Sequence, residues 1–180
     1  MNSPVISVLM PVWNAAATLR QAVDSLRCQL FPDWELLAVN NGSTDDTPEI
    51  LSTLAAADWR IQVIHQPHRG IVAALQAAGG RARGHYIARM DADDISLPER
   101  FTEQLKLFEK IPGLALCGTR VMLIGTRPGS GYRRYETWLN SLTTPEDHAR
   151  ECFVECPIAH PTFMMPREWF ETVGGYRECP

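Results

Sequence analysis

Residues 5–14, Val-Ile-Ser-Val-Leu-Met-Pro-Val-Trp-Asn, open with a short apolar, β-branched run that Pro11 closes. Such a run is too short for a helix and suits a strand buried on both faces. It leads into a polar-aromatic cluster, Pro11-Val12-Trp13-Asn14, and then into a helical stripe. Leu19, Ala22, Val23 and Leu26 fall at i, i+3, i+4 and i+7, the spacing of a helix packed on a sheet.

The same alternation continues outward from this unit. Trp34–Val39 reads as a second strand, stopped by Asn40-Asn41-Gly42-Ser43, and Thr47-Pro48-Glu49 starts a helix with Thr47 as its hydroxyl cap. Ile61–Ile64 is a third strand, and Ile71–Ala78 a helix that Gly79-Gly80 stops. His85–Met90 is a fourth strand running into Asp91-Ala92-Asp93-Asp94. Phe101, Leu105 and Phe108 line one face of the helix that follows Pro98-Glu99, and Leu114–Ile124 reads as a longer strand. Strands and helices joined by short links predict an α/β fold, a mostly parallel central sheet with helices on both faces. Ligands of such sheets bind beyond the carboxyl ends of the strands, where the three polar clusters should converge.

After Gly125 the character changes. Residues 126–134 (TRPGSGYRR) read as a basic loop, followed by helical stretches around Trp138-Leu139 and Pro145–Arg150. His160–Met165 reads as a short strand, and Arg167–Val173 as a helix ending at Gly174-Gly175. The expected division is therefore a first α/β unit over 1–125 and the start of a second region over 126–180.

At 180 residues the chain can bury one core, and its net charge of −4 argues against a general nucleic-acid binder. An acidic protein that takes an anionic ligand must do so locally, through a metal, a few basic side chains or backbone amides. No basic leader precedes an apolar stretch at the N-terminus, and no apolar run approaches about 18 residues. With five scattered cysteines, these features predict a cytoplasmic or membrane-peripheral protein with reduced thiols.

Asp91-Ala92-Asp93 is the sharpest chemical signal. In extended backbone, residues i and i+2 share a side, so both carboxylates can face one ligand. Hard oxygen donors at a strand end suit Mn²⁺ or Mg²⁺, which can bridge a diphosphate. The competing reading is an acidic turn that caps the next helix. Asn40 to Thr47 could bond a base through amides or be a plain turn before a helix. His68-Arg69-Gly70 precedes a helix whose amides could receive an anion, although a solvated basic loop explains it as well. Arg127, Arg133 and Arg134 could grip an acceptor phosphate or belong to a charged loop. His148, Cys152, Cys156 and His160 recur every four residues, but Pro157 interrupts the helix that a zinc site would need. No phosphate-binding glycine motif of a dehydrogenase or P-loop ATPase is present.

Together these residues resemble the inverting family 2 glycosyltransferases of GT-A fold, and the likeness spans nearly the whole chain. Val8–Asn14 is similar to the family's opening strand. Gln29–Asp46 is similar to its stretch of Gln, Glu and Asp-Asp-Gly-Ser. Tyr86–Asp94 with Pro98-Glu99-Arg100 is similar to its metal segment, and Pro157–Pro161 and Gly174-Gly175-Tyr176 to its acceptor-side landmarks.

The resemblance implies that Pro11 and Trp13 flank the nucleobase with Asn41 at its polar edge, and that Asn14, Arg69 and Ala92 belong to the nucleotide site. It implies Asp91 at the ribose and the metal, Asp93 on the metal, and His160 on the acceptor side. The donor would be a UDP- or dTDP-linked sugar, and the acceptor a saccharide or lipid-linked molecule. Two departures stand out. Asn40 and Asn41 replace the family's usual acid or acids, and the Glu-Asp base expected after Gly-Gly-Tyr would lie beyond Pro180. Glu146-Asp147 reads instead as a helix start after Pro145. A nucleotide-binding module without turnover is the alternative function, and uncovered apolar surface around Phe163, Met164 and Trp169 would then favour self-association. A nucleotidyltransferase would carry a glycine-rich basic loop where Trp13-Asn14-Ala15-Ala16-Ala17 stands.

Overall fold

The structure, a computed structural model, describes residues 3–124 and 129–178. In chain order its elements are β1 (Ile6–Val12), α1 (Leu19–Arg27), β2 (Trp34–Asn41), α2 (Thr47–Ala57), β3 (Ile61–Gln66), α3 (Gly70–Gly79) and β4 (Tyr86–Arg89). They continue with α4 (Arg100–Lys110), α5 (Ser130–Ser141), α6 (Pro145–Glu151), a 3₁₀ turn (His160–Thr162), β5 (Met164–Pro166) and α7 (Arg167–Thr172). The strands form one five-stranded sheet in the order β3-β2-β1-β4-β5, parallel except for β5, which runs antiparallel to β4.

Side chains alternate across a strand, so a run with both faces covered is apolar throughout. Ile6, Val8 and Met10, with Leu36, Ala38 and Ala88, pack beneath α1, α2 and Phe101 of α4. Leu9, Leu37, Val39 and Ile87 point the other way, beneath Ala74, Leu75 and Ala78 of α3 and Phe170 of α7. Leu9 is the hinge of the register, opposite Leu37 on one side and Arg89 on the other. Among the described residues no helix is long and apolar enough to cross a membrane.

At the amino ends of the strands, the buried Glu35 carboxylate accepts from Ser7 Oγ (2.6 Å), Gln62 Nε2 (2.8 Å) and Arg83, through its backbone N–H (2.9 Å) and guanidinium (2.6 Å). Gly84 makes this possible, since a Cβ there would stand 2.5 Å from the Ser7 nitrogen.

Five local expectations are corrected. Residues 114–124 are not a strand; only Cys117 bridges β5, opposite Met164. The Asn140 side chain instead binds both polar groups of the Val121 backbone, at 2.8 and 2.7 Å, so a helix occupies the place of a neighbouring strand. Arg133 and Arg134 lie on α5 and not in a loop, while Arg127 lies outside the described residues. The stretch from His160 begins as a 3₁₀ turn, and strand pairing starts only at Met164. Met164 is fully buried and Trp169 half-exposed, so the most uncovered apolar side chain among the described residues lies elsewhere, at Phe153 (95% exposed). Finally, Asp46 and not Thr47 occupies the N-cap position of α2, without a side-chain capping bond, and Thr47 is buried with another task.

Candidate active site

Three loops leave the carboxyl ends of the adjacent strands β2, β1 and β4. The first two are laced together. Asn14, in the left-handed region at φ 49°, accepts from the Thr44 N–H through Oδ1 (2.8 Å) and donates its own N–H to Ser43 Oγ (3.0 Å). Ala15 N–H donates to Thr47 Oγ1 (2.9 Å) and Ala16 N–H to Asp45 Oδ2 (3.1 Å). The polar run after β2 therefore spends much of its bonding capacity on the β1–α1 loop. That lacing fixes Trp13, which remains 56% exposed.

Asn41 is only 3% exposed, and its amide is used from within. Oδ1 accepts from Gln66 Nε2 (2.8 Å) and the Arg69 N–H (3.0 Å), and Nδ2 donates to the Gly70 carbonyl (3.2 Å). These bonds hold His68 against Trp13, with ring centroids 4.7 Å apart and planes tilted by 39°. Gly42, at φ 74°, is required there, because a Cβ would come within 2.6 Å of the His68 nitrogen. Arg69 itself is exposed.

Opposite Trp13, the loop after β4 turns tightly, with the Asp94 N–H directed at the Asp91 carbonyl (3.4 Å). The turn replaces the extended backbone expected for residues 91–93. It gathers one carboxylate oxygen each from Asp91, Asp93 and Asp94 within 4.8 Å of one another. Pro11, Trp13, Asn14, Asp91, Ala92 and Asp93 line a shared crevice of about 330 Å³. Six of the expected site residues thus meet in one place, whereas the buried Asn41 and the exposed Arg69 do not line it. Gln29 steadies the acidic loop from behind, donating to the Leu97 carbonyl (2.7 Å) and Ser96 Oγ (3.1 Å) and accepting from the Phe101 N–H (3.1 Å).

Burial raises the Asp91 carboxyl above its ordinary range, with Arg89 opposing the effect and Asp93 adding to it. Asp94 is raised too, by burial first and then by Asp91 and Asp93. Carboxylates crowded in this way gain most from a divalent cation, and three hard oxygens fit Mn²⁺ or Mg²⁺. Among the described residues no other group brings three such ligand atoms together. His148 contacts the Leu142 carbonyl (3.3 Å), and Cys156 donates to the Ile158 carbonyl (3.1 Å).

His160 pairs through Nε2 with the Tyr176 hydroxyl (2.8 Å). Burial, and then the nearby Arg89 charge, pushes the imidazole down to about 4, and burial pushes the Tyr176 phenol up to about 12. Both are neutral at neutral pH. Asp147 closes a capping box with Thr144 at the start of α6, and this bonding holds its carboxyl at about 2.

Asp94, Arg89 and Gln29 lie within stretches quoted from the sequence, but sequence reasoning gave none of them a role of its own in this site. Asp94 needed the turn to bring it round. Arg89 carried a readable signal: a charge inside an apolar strand, two residues before Asp91. Gln29 acts across 67 residues of chain, and no local pattern announces that.

The chain is similar to known proteins along nearly all of its length. The Glycosyl transferase family 2 model matches residues 7–174. EpsE of Bacillus subtilis (strain 168), which carries a glycosyltransferase name, is 33% identical over 98% of this chain and 62% of its own length. Chondroitin synthase of Pasteurella multocida (strain Pm70) is 34% identical over 78% of this chain and 15% of its own. The chain therefore spans less than two thirds of these relatives.

Among solved structures, the mannosyltransferase PcManGT from Pyrobaculum calidifontis, in complex with GDP-Man and Mn²⁺, superposes at a TM-score of 0.72. It shares 20% identity and covers 98% of this chain and 48% of its own. TarS of S. aureus in complex with UDP-GlcNAc gives 0.71 at 17% identity, covering 96% of this chain and 48% of its own. The sheet is thus of the GT-A type, and by the family match the chain belongs to glycosyl transferase family 2.

Proposed function

We propose that this chain binds a nucleoside-diphosphate sugar, UDP- or dTDP-linked, and passes the sugar to an acceptor hydroxyl with inversion. The observation that carries this reading is the single crevice with an exposed indole on one wall and three converging carboxylates on the other. Solved relatives of the same fold hold GDP-Man with Mn²⁺ and UDP-GlcNAc.

In this reading the Trp13 indole stacks on the base beside Pro11, and the laced Asn14 loop fixes the height of that platform. Asn41 serves the base indirectly, by holding His68 and Arg69 in place. Asp93, with Asp91 and Asp94, holds the divalent cation, which offsets the charge of the departing diphosphate. Asp91 also faces the ribose, and Ala92 keeps the turn small enough for a close approach. His160 and Tyr176 form a neutral wall on the acceptor side, which a saccharide or lipid-linked acceptor would meet. Direct displacement needs a base for the acceptor proton. Asp147 is committed to its cap and His160 is too weak a base, so neither is assigned that role.

Residues 1–125 form the donor side and 126–180 contribute to the acceptor side, in a cytoplasmic or membrane-peripheral enzyme. The stereochemistry is open to direct test with water as acceptor. Proton NMR of an α-linked UDP-sugar should show the β anomer released first, and early release of the α anomer would overturn inversion.

A further inference from the structure

Arg89 projects from the end of β4 and is only 3% exposed. Among the described residues its side chain has one polar partner, the Asp91 carboxylate, with which Nη2 forms an ion pair. Nε and Nη1 are fully buried and have none. Buried donors are nearly always paired, because leaving one unpaired forfeits its bonds to water without replacement. The backbone that carries the guanidinium is held on both sides: the buried Arg100 donates to the Arg89 carbonyl (2.8 Å), and the Arg89 N–H donates to the Phe163 carbonyl (2.9 Å). A buried cation so poorly satisfied by the fold adds little to stability. What it does is engage an oxygen of the acidic triplet.

The charges make the consequence definite. Asp91, Asp93 and Asp94 together could close on a bare divalent cation, filling positions that a diphosphate must occupy. Arg89 takes one unit of that negative charge and one oxygen. We propose that Arg89 is a positioning residue that withholds Asp91 from a bare cation, so that cation and nucleoside diphosphate bind strongly only together. This inference rests on the metal-nucleotide reading above. The diphosphate supplies the negative charge that Arg89 withholds, and coupling between the two ligands follows from that balance.

The test measures Mn²⁺ binding by calorimetry, with and without saturating UDP, in the wild-type chain, Arg89→Met and Arg89→Lys. Removing one positive charge next to the triplet should tighten binding of bare Mn²⁺ by about tenfold. The gain in Mn²⁺ affinity on adding UDP should shrink by a similar factor. Arg89→Lys keeps the charge and should stay near wild type. Unchanged bare affinity and unchanged coupling in Arg89→Met would overturn the proposal while leaving the metal site intact. No Mn²⁺ binding by wild type, with or without UDP, would remove the metal site and this inference together.

A second measurement covers the case in which Arg89→Met fails to fold. In ¹⁵N-labelled wild-type protein, the Arg89 guanidinium signals should stay in place with Mg²⁺ alone and shift when UDP is added. A full shift with Mg²⁺ alone would contradict the proposal.

Discussion

Glu35 is a buried carboxylate and Asp91 a partly buried one, at opposite ends of the same sheet, and their surroundings differ in kind. Burial pushes Glu35 up, but bonds from Arg83 and Ser7 outweigh it and hold the carboxyl below its ordinary range. Asp91 has one basic partner, itself left with two orphaned donors, and its carboxyl ends above the ordinary range. An acid that serves the fold is satisfied from within the fold. An acid that serves a ligand is left incomplete, and the strand ends where ligands bind are where such incompleteness collects.

Breaking the satisfied end should cost the most stability. Glu35→Ala strands Ser7 and Arg83 beside a cavity and should lower unfolding stability by about 3 kcal/mol. Denaturant titration measures this, and the nucleotide preference of the surviving folded protein should not change. A loss below about 0.5 kcal/mol would show that the buried network is not structural.

His160 sharpens the contrast through pH. Its folded value of about 4 lies below the unfolded 6.5, so the unfolded chain binds the extra proton between those limits. Stability is therefore full above 6.5 and is lost as pH falls toward 4. Allowing for partial exposure, this group should account for about 2 kcal/mol. His160→Gln keeps a partner for Tyr176 and should flatten that part of the stability–pH curve; an unchanged slope would assign the loss to other groups.

Asn41→Asp probes the connection between the two kinds of site. A carboxylate cannot donate to the Gly70 carbonyl, so about 1–2 kcal/mol of stability should go. If Asn41 serves the base only through His68 and Arg69, as proposed above, affinity for every nucleotide should fall together. A reordered nucleotide ranking in binding titrations would instead put Asn41 in direct contact with the base.

Asp93→Ala should change unliganded stability least, by under about 0.5 kcal/mol, because Asp93 is exposed at the crevice. In melting curves it should nevertheless abolish any stabilisation by metal and nucleotide together. Substantial unfolding would favour a capping role for this acid.

Much of this architecture is written locally. The runs at Val5–Met10, Trp34–Val39 and Ile61–Ile64 are strands because each is short, apolar and bounded by a turn signal, and the helices between them carry their own apolar stripes. Pro11, Trp13, Asp91 and Asp93 were legible as a site because strand ends converge. What stayed hidden depends on distant partners. Val121 is denied a strand by Asn140, Thr47 is drawn from its cap by Ala15, and the amide of Asn41 is consumed by a loop 25 or more residues away. Periodicity carries no record of such bonds.

The most direct test is a melting experiment with UDP, dTDP, GDP and CDP, each with Mn²⁺ and with EDTA. At about one hundred times its dissociation constant, a bound nucleotide stabilises the folded state by about 2.7 kcal/mol. The acidic triplet predicts that stabilisation with Mn²⁺ present and its loss in EDTA, with UDP or dTDP first in rank. Equal stabilisation with and without the cation would contradict the assignment of Asp91, Asp93 and Asp94 as the metal site.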